Sequence, residues 1–326
     1  MAPVVIVIVI FFLLIWILLT ISGIGPLIHY VFSISDRKRL KREKLLHEHS
    51  ELLQIEIPGG LNKASNGMKY TIIARWVKCA NSKQPPVIFP NGLAATQLFL
   101  ARPQDMLKDE GFSSLTFDRL GCGFSDPNIT GIAPSAVDIC REMNYVMDFI
   151  LEKEILPIDT KWIAVGGSMG NVVIQAYMTL YPNRFVGLLN LDGFPYPYLC
   201  QSKVFIDTFA GQYAMFNRIA WTGIFRFANF LATSTWKKNS ESSKFPVATI
   251  IAQMNQPSFF GNTVYEFRTM MSCCELAHAG WGNHSILLME EVHTFSPSSR
   301  CFTYCKVFQE ESNVCMYVCS GLSILF

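Results

Sequence analysis

Trp162-Ile163-Ala164-Val165-Gly166-Gly167-Ser168-Met169-Gly170-Asn171-Val172-Val173-Ile174 is the stretch whose reading decides the fold. An apolar run of strand length passes through a Gly-x-Ser-x-Gly sequence into a second apolar run that continues at helical spacing. A serine held in so sharp a strand-to-helix turn needs neighbours without side chains. Gly166 and Gly170 supply them, so the backbone can fold back and leave Oγ standing clear. The following helix aims its first N–H groups, beginning with that of Met169, at whatever reacts there. A pattern with so few fixed positions recurs by chance, and the strand and helix on either side give this one its weight.

Upstream, Leu53 to Ile57 alternates like a strand and stops at Pro58-Gly59-Gly60, and Met68 to Val77 reads as a second strand. Val87-Ile88-Phe89 is a short apolar strand ending in Pro90-Asn91-Gly92-Leu93, and a helical pattern covers Thr96 to Lys108. Ser114 to Phe117 ends in Asp118-Arg119-Leu120-Gly121-Cys122-Gly123-Phe124-Ser125, and a long amphipathic helix runs from about Ser135 to Glu154. Downstream of the serine, Phe185 to Gly193 reads as one more strand. Repeated strand and helix argue an α/β domain with a mostly parallel sheet covered by helices, and a site beyond the carboxyl ends of the strands. Each of the polar motifs quoted sits at such an end.

In that order, the turn after Phe89, the Asp-Arg-x-Gly-x-Gly-x-Ser turn at 118–125 and the Gly166–Gly170 turn resemble three motifs of the α/β-hydrolase family, over about Leu53 to Gly193. Asn91 stands where many members have histidine and Asn171 where many have a second glycine; neither change removes a backbone donor. The resemblance implies Ser168 as nucleophile at the elbow formed by Gly166 and Gly170, and an oxyanion hole made by the N–H groups of Leu93 and Met169. It implies a structural hydrogen-bonded pair in Asp118 and Arg119. A serine at the elbow argues against epoxide hydrolase and haloalkane dehalogenase chemistry, which in the family resembles attack by aspartate. No cofactor and no metal are implied.

The family's acid and histidine follow the serine in the chain. No aspartate follows Asp207, so Asp192, at the end of the strand after the elbow unit, is the acid expected, with His293 as the base. From about 195 to 285 the chain is rich in aromatic residues at helical spacing, for example Phe209, Tyr213, Phe216, Ile219 and Trp221. Such a pattern is either ordinary helical core or a lid with an apolar underside, suited to a small apolar ester or acyl substrate. From about Ser296 to Phe326 the pattern shows little sustained helix, strand or turn punctuation, and a sheet lacking its last strands is expected there. Cys301, Cys305, Cys315 and Cys319 invite a zinc reading, which the absence of an accompanying glycine or polar knuckle disfavours. An ester hydrolase, a hydrolase-fold binding protein without turnover and an incomplete isoform without acid and histidine are the readings left standing.

The amino terminus is different. Val4 to Ile21 is apolar apart from Thr20, long enough to cross a bilayer as a helix, and carries no basic residue before it as a signal peptide would. Gly23-Ile24-Gly25-Pro26 ends or kinks that helix, Leu27 to Ile34 suits the interface, and Arg37, Lys38, Arg39, Lys41, Arg42 and Lys44 follow. Three parts are expected: an anchor over 1–34, a basic linker over 35–50 and the α/β domain over 51–326, with the lid and tail within it. The basic cluster places the domain in the cytosol, with the endoplasmic reticulum as a candidate membrane and the bilayer as a partner. A net charge of +2 gives no reason to expect nucleic acid. Ten cysteines, several lying singly in apolar or motif contexts, suit reduced thiols rather than a disulfide framework; the sequons at Asn128 and Asn283 would matter only on the other side of the membrane.

Overall fold

The apolar runs of the sequence become strands of a single sheet, and the polar alternation of the first one becomes an edge. In the computed structural model, which describes residues 2–48, 52–80, 82–191, 203–231, 246–256, 258–281 and 315–319, β1 (Leu52–Ile57) turns Ile55 and Ile57 inward and Gln54 and Glu56 to solvent. β2 (Tyr70–Val77), β3 (Val87–Pro90), β4 (Ser114–Asp118), β5 (Trp162–Gly167), β6 (Phe185–Leu191) and β7 (Cys315–Cys319) complete a sheet in the order β1-β2-β4-β3-β5-β6-β7. β3 and β4 are buried at every residue; β3 reads as an unbroken apolar run, whereas β4 buries Ser114, Thr116 and Asp118 as well as Leu115 and Phe117. The sheet is mixed and, as expected, mostly parallel: β2 runs antiparallel to both β1 and β4, and the other pairings are parallel.

β7 corrects the expectation for the tail. Cys315–Cys319 pairs in parallel with β6, from Gly187↔Cys315 to Leu191↔Cys319, so the sheet continues past β6. An extended backbone also sets the α-carbons of Cys315 and Cys319 about 13 Å apart, too far for both to reach one zinc ion.

Helices α3 (Ala101–Asp109), α4 (Ala136–Lys153) and α5 (Met169–Leu180) connect the strands. α4 starts at a capping box in which the Ser135 side chain accepts from Asp138 N–H and Asp138 accepts in return from Ser135 N–H. It buries Ile139, Met143, Val146, Met147 and Ile150, a stripe of helical period, against the sheet. α5 is buried at every position from Met169 to Met178, so its sequence is largely apolar all round, with Asn171 and Gln175 the buried polar exceptions. α6 (Lys203–Ala220), α7 (Ile224–Leu231), α8 (Val247–Met254) and α9 (Ser258–Trp281) follow β6, and α9 lies along both α5 and α6. The aromatic residues at helical spacing interlock here: Tyr213 meets Phe267 at 5.5 Å, Phe216 meets Phe260 at 6.0 Å and Phe225 meets Phe260 at 4.3 Å between ring centroids.

The amino-terminal apolar stretch forms two helices, α1 (Ala2–Ile21) and α2 (Ile24–Glu48), parted at Gly23, whose φ of 77° only glycine adopts readily. Among the residues with described side chains, which begin at Ile10, no single helix is long and apolar enough to cross a membrane; Ile10–Ile21 and Ile24–Glu43 pass that test only as a pair bent by 82°. This pair grips the helices after β6. Trp16 and Phe12 pack on Phe227 of α7, and Arg226 of α7 forms an ion pair with Asp36 at 2.6 Å, meets the Ser33 hydroxyl at 3.1 Å and His29 Nδ1 at 3.3 Å.

Candidate active site

Ser168 sits at the hinge between β5 and α5 with φ 50° and ψ −126°, a backbone conformation that an L-residue keeps only when its surroundings enforce it. The enforcement comes from two glycines. A Cβ on Gly166 would lie 2.6 Å from Asn171 Cα, and one on Gly170 would lie 2.3 Å from Pro90 O, so the chain folds back on itself and the first turn of α5 lies against the end of β3. Ser168 makes no side-chain capping bond to the helix it starts, and it is half-buried whereas Met169 beside it is wholly buried.

The turn after β3 is held from below. Asn91 donates from Nδ2 to Phe117 O at 2.7 Å and accepts from the Thr116 hydroxyl at 3.3 Å, so its amide ties the turn to β4. Ala94 takes φ 54°, and its N–H donates to Glu266 Oε2 at 2.7 Å. Arg119 donates from Nη1 to Asn91 O at 2.6 Å, from Nη2 to Gly92 O at 3.0 Å and from Nε to Glu266 Oε1 at 3.0 Å, with a second contact from Nη2 to the same carboxylate oxygen. Both partners are buried, at 3% and 7% exposed. Burial is the largest single influence on Arg119 and works against its charge, but Glu266, Cys122 and Glu142 together outweigh it and hold the guanidinium protonated. Leu93, between these anchored neighbours, is half-buried.

The Asp118–Ser125 turn explains its own fixed positions. Asp118 accepts from Gln97 N–H at 2.8 Å, Phe124 N–H at 3.0 Å and Gln97 Nε2 at 2.9 Å. Gly123, at φ 54°, passes so close that a Cβ would strike the Asp118 carboxylate at 2.0 Å. Ser125 donates to Asp118 O at 2.5 Å and accepts from Ile73 N–H at 2.8 Å. Burial pushes the Asp118 carboxyl up to about 6, against the N–H donors of Phe124 and Gln97 and the charge of Arg119. Asp118 and Arg119 therefore serve different partners rather than each other: the carboxylate joins Phe124 of its own loop to Gln97, and the guanidinium holds the backbone of the turn after β3.

Asp192 and His293, the expected acid and base, lie outside the described residues. Glu266 is the site residue that motif reading missed. Its signal was a carboxylate on the buried stripe of α9, among Asn262, Thr263, Thr269 and Met270. Among the described residues no group of three or more His, Cys, Asp or Glu side chains could hold a metal ion.

The alpha/beta hydrolase fold model matches residues 85–217. The Cif epoxide hydrolase from Acinetobacter nosocomialis superposes with a TM-score of 0.51 at 15% identity, covering 77% of this chain and 76% of that one. This chain has the alpha/beta hydrolase fold. A second solved structure with that fold, a probable hydrolytic enzyme from Pseudomonas aeruginosa PAO1, has a TM-score of 0.46 at 14% identity over 68% of this chain and 66% of its own. Putative methylesterase 11, chloroplastic, from Arabidopsis thaliana is 37% identical over 79 residues, 24% of this chain. That match spans 18% of the methylesterase's length. In the alpha/beta hydrolase fold the elbow, the turn after β3 and the turn after β4 lie together at the carboxyl ends of adjacent strands, as they do here.

Proposed function

We propose that the chain is a serine hydrolase that cleaves a carboxylic ester or similar apolar acyl substrate at a bilayer surface. The observation that carries this reading is Ser168, held at φ 50° and ψ −126° with its side chain outside the capping bonds, next to a turn whose backbone is fixed by Arg119 and Glu266. In the step proposed, Ser168 Oγ bonds to the acyl carbon while its proton passes to His293, which Asp192 orients. The N–H groups of Leu93 and Met169 stabilise the oxyanion. As the tetrahedral adduct collapses, the ester C–O bond breaks and the leaving alcohol takes the proton. Water then attacks the acyl-enzyme by the same route, releasing the acid and restoring the Ser168 hydroxyl. The short match to a plant methylesterase is in keeping with ester chemistry. An active-site fluorophosphonate is expected to label the full-length protein at Ser168, and labelling and ester hydrolysis should vanish together in Ser168→Ala. A folded protein that neither labels nor hydrolyses would sink the reading.

The bilayer enters through the amino terminus. α1 has a length of about 30 Å at 1.5 Å per residue and contains no charged side chain. Ile10, Phe11, Leu18 and Ile21 are exposed on it, as are Leu27, Tyr30, Val31 and Phe32 on α2, ahead of the basic run from Arg37 to Arg42. The proposal is that α1 enters the bilayer, that the first turns of α2 lie in the interface and that the domain faces the cytosol. Alkaline carbonate should leave the full chain in the membrane pellet and release a variant lacking residues 1–34.

A further inference from the structure

We infer that Arg119 and Glu266 are positioning residues that set the direction of the Leu93 N–H, so that helix α9 governs the oxyanion hole. The inference rests on the serine-hydrolase reading above and deepens it. The argument is one of peptide geometry. A trans peptide is planar, with its C=O and N–H pointing in opposite directions. The Gly92 carbonyl and the Leu93 N–H belong to one such plane, so when Arg119 Nη2 holds Gly92 O at 3.0 Å it also turns the Leu93 N–H away from the guanidinium. The next plane joins Leu93 to Ala94, and Glu266 Oε2 holds its N–H at 2.7 Å. The plane before them is held through Asn91 O, 2.6 Å from Arg119 Nη1. Three successive peptides are thus fixed by one buried ion pair, and the N–H left between the two grips is that of Leu93.

Glu266 is 147 residues from Arg119 in the chain and belongs to α9, which packs against α5 directly behind Ser168. A movement of α9 therefore reaches the proposed oxyanion donor by a rigid path, through Glu266 and then the Ala94 N–H. Nothing in the pair touches substrate in this reading, and its effect is confined to where a neighbouring N–H points. A 1 Å misplacement of such a donor matters because the donor acts on charge that develops only in the transition state.

The test separates positioning from simple stabilisation. Removing both charges together, in Arg119→Met with Glu266→Gln, leaves no uncompensated buried ion, although Asn91 O and Gly92 O lose their donors. The double variant of the full-length chain is expected to stay folded, with its urea midpoint lowered by less than that of Arg119→Ala, which strands a buried charge as well. Its fluorophosphonate labelling rate and kcat for a neutral ester should fall about 100-fold, the scale of one lost oxyanion donor, with KM within about threefold. Glu266→Gln alone keeps an acceptor for the Ala94 N–H and should lose about tenfold in the same rates. A purely structural pair would move rate and stability together. Double and single variants that label at the wild-type rate would overturn the inference while leaving the nucleophile intact. A wild-type chain that does not label would overturn both, and that failure is visible before any variant is made. Should the double variant not fold, Glu266→Gln decides the matter on the same readout.

Discussion

Two arginines, Arg119 buried and Arg226 half-buried, hold parts of this molecule together at different places, and they hold different things. Arg119 lies inside the α/β body with 4% of its side chain exposed, against Glu266 at 9%, and its remaining donors go to backbone carbonyls of the turn after β3. Arg226 lies on α7 at 13%, against Asp36 at 17%, and its other contacts are side chains: Ser33, His29 and the ring of Phe32, 5.8 Å from the guanidinium carbon. A guanidinium that binds backbone fixes the path of a loop. One that binds side chains fastens two helices while leaving each helix intact. The first joint ties α9 to the site, and the second ties the amino-terminal pair to α7.

The largest effect expected at either joint follows from removing Arg119. Arg119→Ala leaves Glu266 charged and buried without its partner and leaves Asn91 O and Gly92 O without their donors, a loss of about 3–5 kcal/mol that a urea titration would read. Should the midpoint move by less than about 1 kcal/mol, the pair does not hold the turn. Next in size is the pH response of the same neighbourhood. The Asp118 carboxyl has its pKa raised to about 6 from an ordinary value of 3.8, so the folded state binds its proton more tightly than the unfolded chain does. Its contribution is fully present below about pH 4 and is lost as pH rises through 6, at most about 3 kcal/mol. Urea midpoints should fall between pH 4 and pH 7, and Asp118→Asn should flatten that slope. An unchanged slope in the variant would assign the dependence elsewhere.

The difference between the two joints also explains what could be read from the chain. The β5–α5 stretch, the apolar run of β3 and the amphipathic period of α4 are local statements, each written in neighbouring residues, and they carry the fold class. The direction of β2 is not local. Alternating side chains suit either orientation, and only its neighbours β1 and β4 make it antiparallel. β7 is short and shows no alternation that would mark it as a strand, and its place is supplied by the edge of β6. Pairing Asp118 with Arg119 from adjacency overlooked that successive residues at a strand end point to opposite sides; the two side chains diverge, one to Gln97 and Phe124 and one to Asn91, Gly92 and Glu266. Glu266 stood outside every motif because its partner is so distant in sequence. The stretch from 282 to 314, where the expected base falls, lies outside the described residues.

At the second joint the expected effects are smaller because its groups are nearer to solvent and no backbone depends on them. Arg226→Ala should lower global stability by about 1–2 kcal/mol, a few charge-assisted bonds partly replaced by water. Its signature should be local: faster amide exchange over Ile224–Leu231 and the facing part of α2, with protection of β3 to β5 unchanged. Uniform loss of protection across the sheet would mean that the amino-terminal pair supports the whole body and that the two joints are one.

Trp16→Ala should be the mildest change and the most informative about coupling. Trp16 stacks on Phe227 at 6.1 Å and 21° between ring planes, a contact worth about 0.5–1.5 kcal/mol, and its indole N–H reaches the Thr222 hydroxyl only at a long 3.3 Å. Phe12 keeps its own contact with Phe227 at 5.9 Å, and Arg226 keeps Asp36, so α7 stays docked in the variant but opens more often. If α1 enters the bilayer, Trp16 lies about 8 Å from its carboxyl end at 1.5 Å per residue, and the contact sets α7 at the depth of the headgroups. An ester presented in a vesicle should then be hydrolysed more slowly by Trp16→Ala, by about two- to fivefold. A short water-soluble ester and the fluorophosphonate, which need no help from the interface, should react as with the wild-type chain. Equal slowing of all three would place the effect at Ser168 and join the two arginine networks into one path from bilayer to oxyanion turn. An effect on the vesicle ester alone keeps them separate, with Arg226 governing where substrate is met and Arg119 governing the hole in which its oxyanion is held.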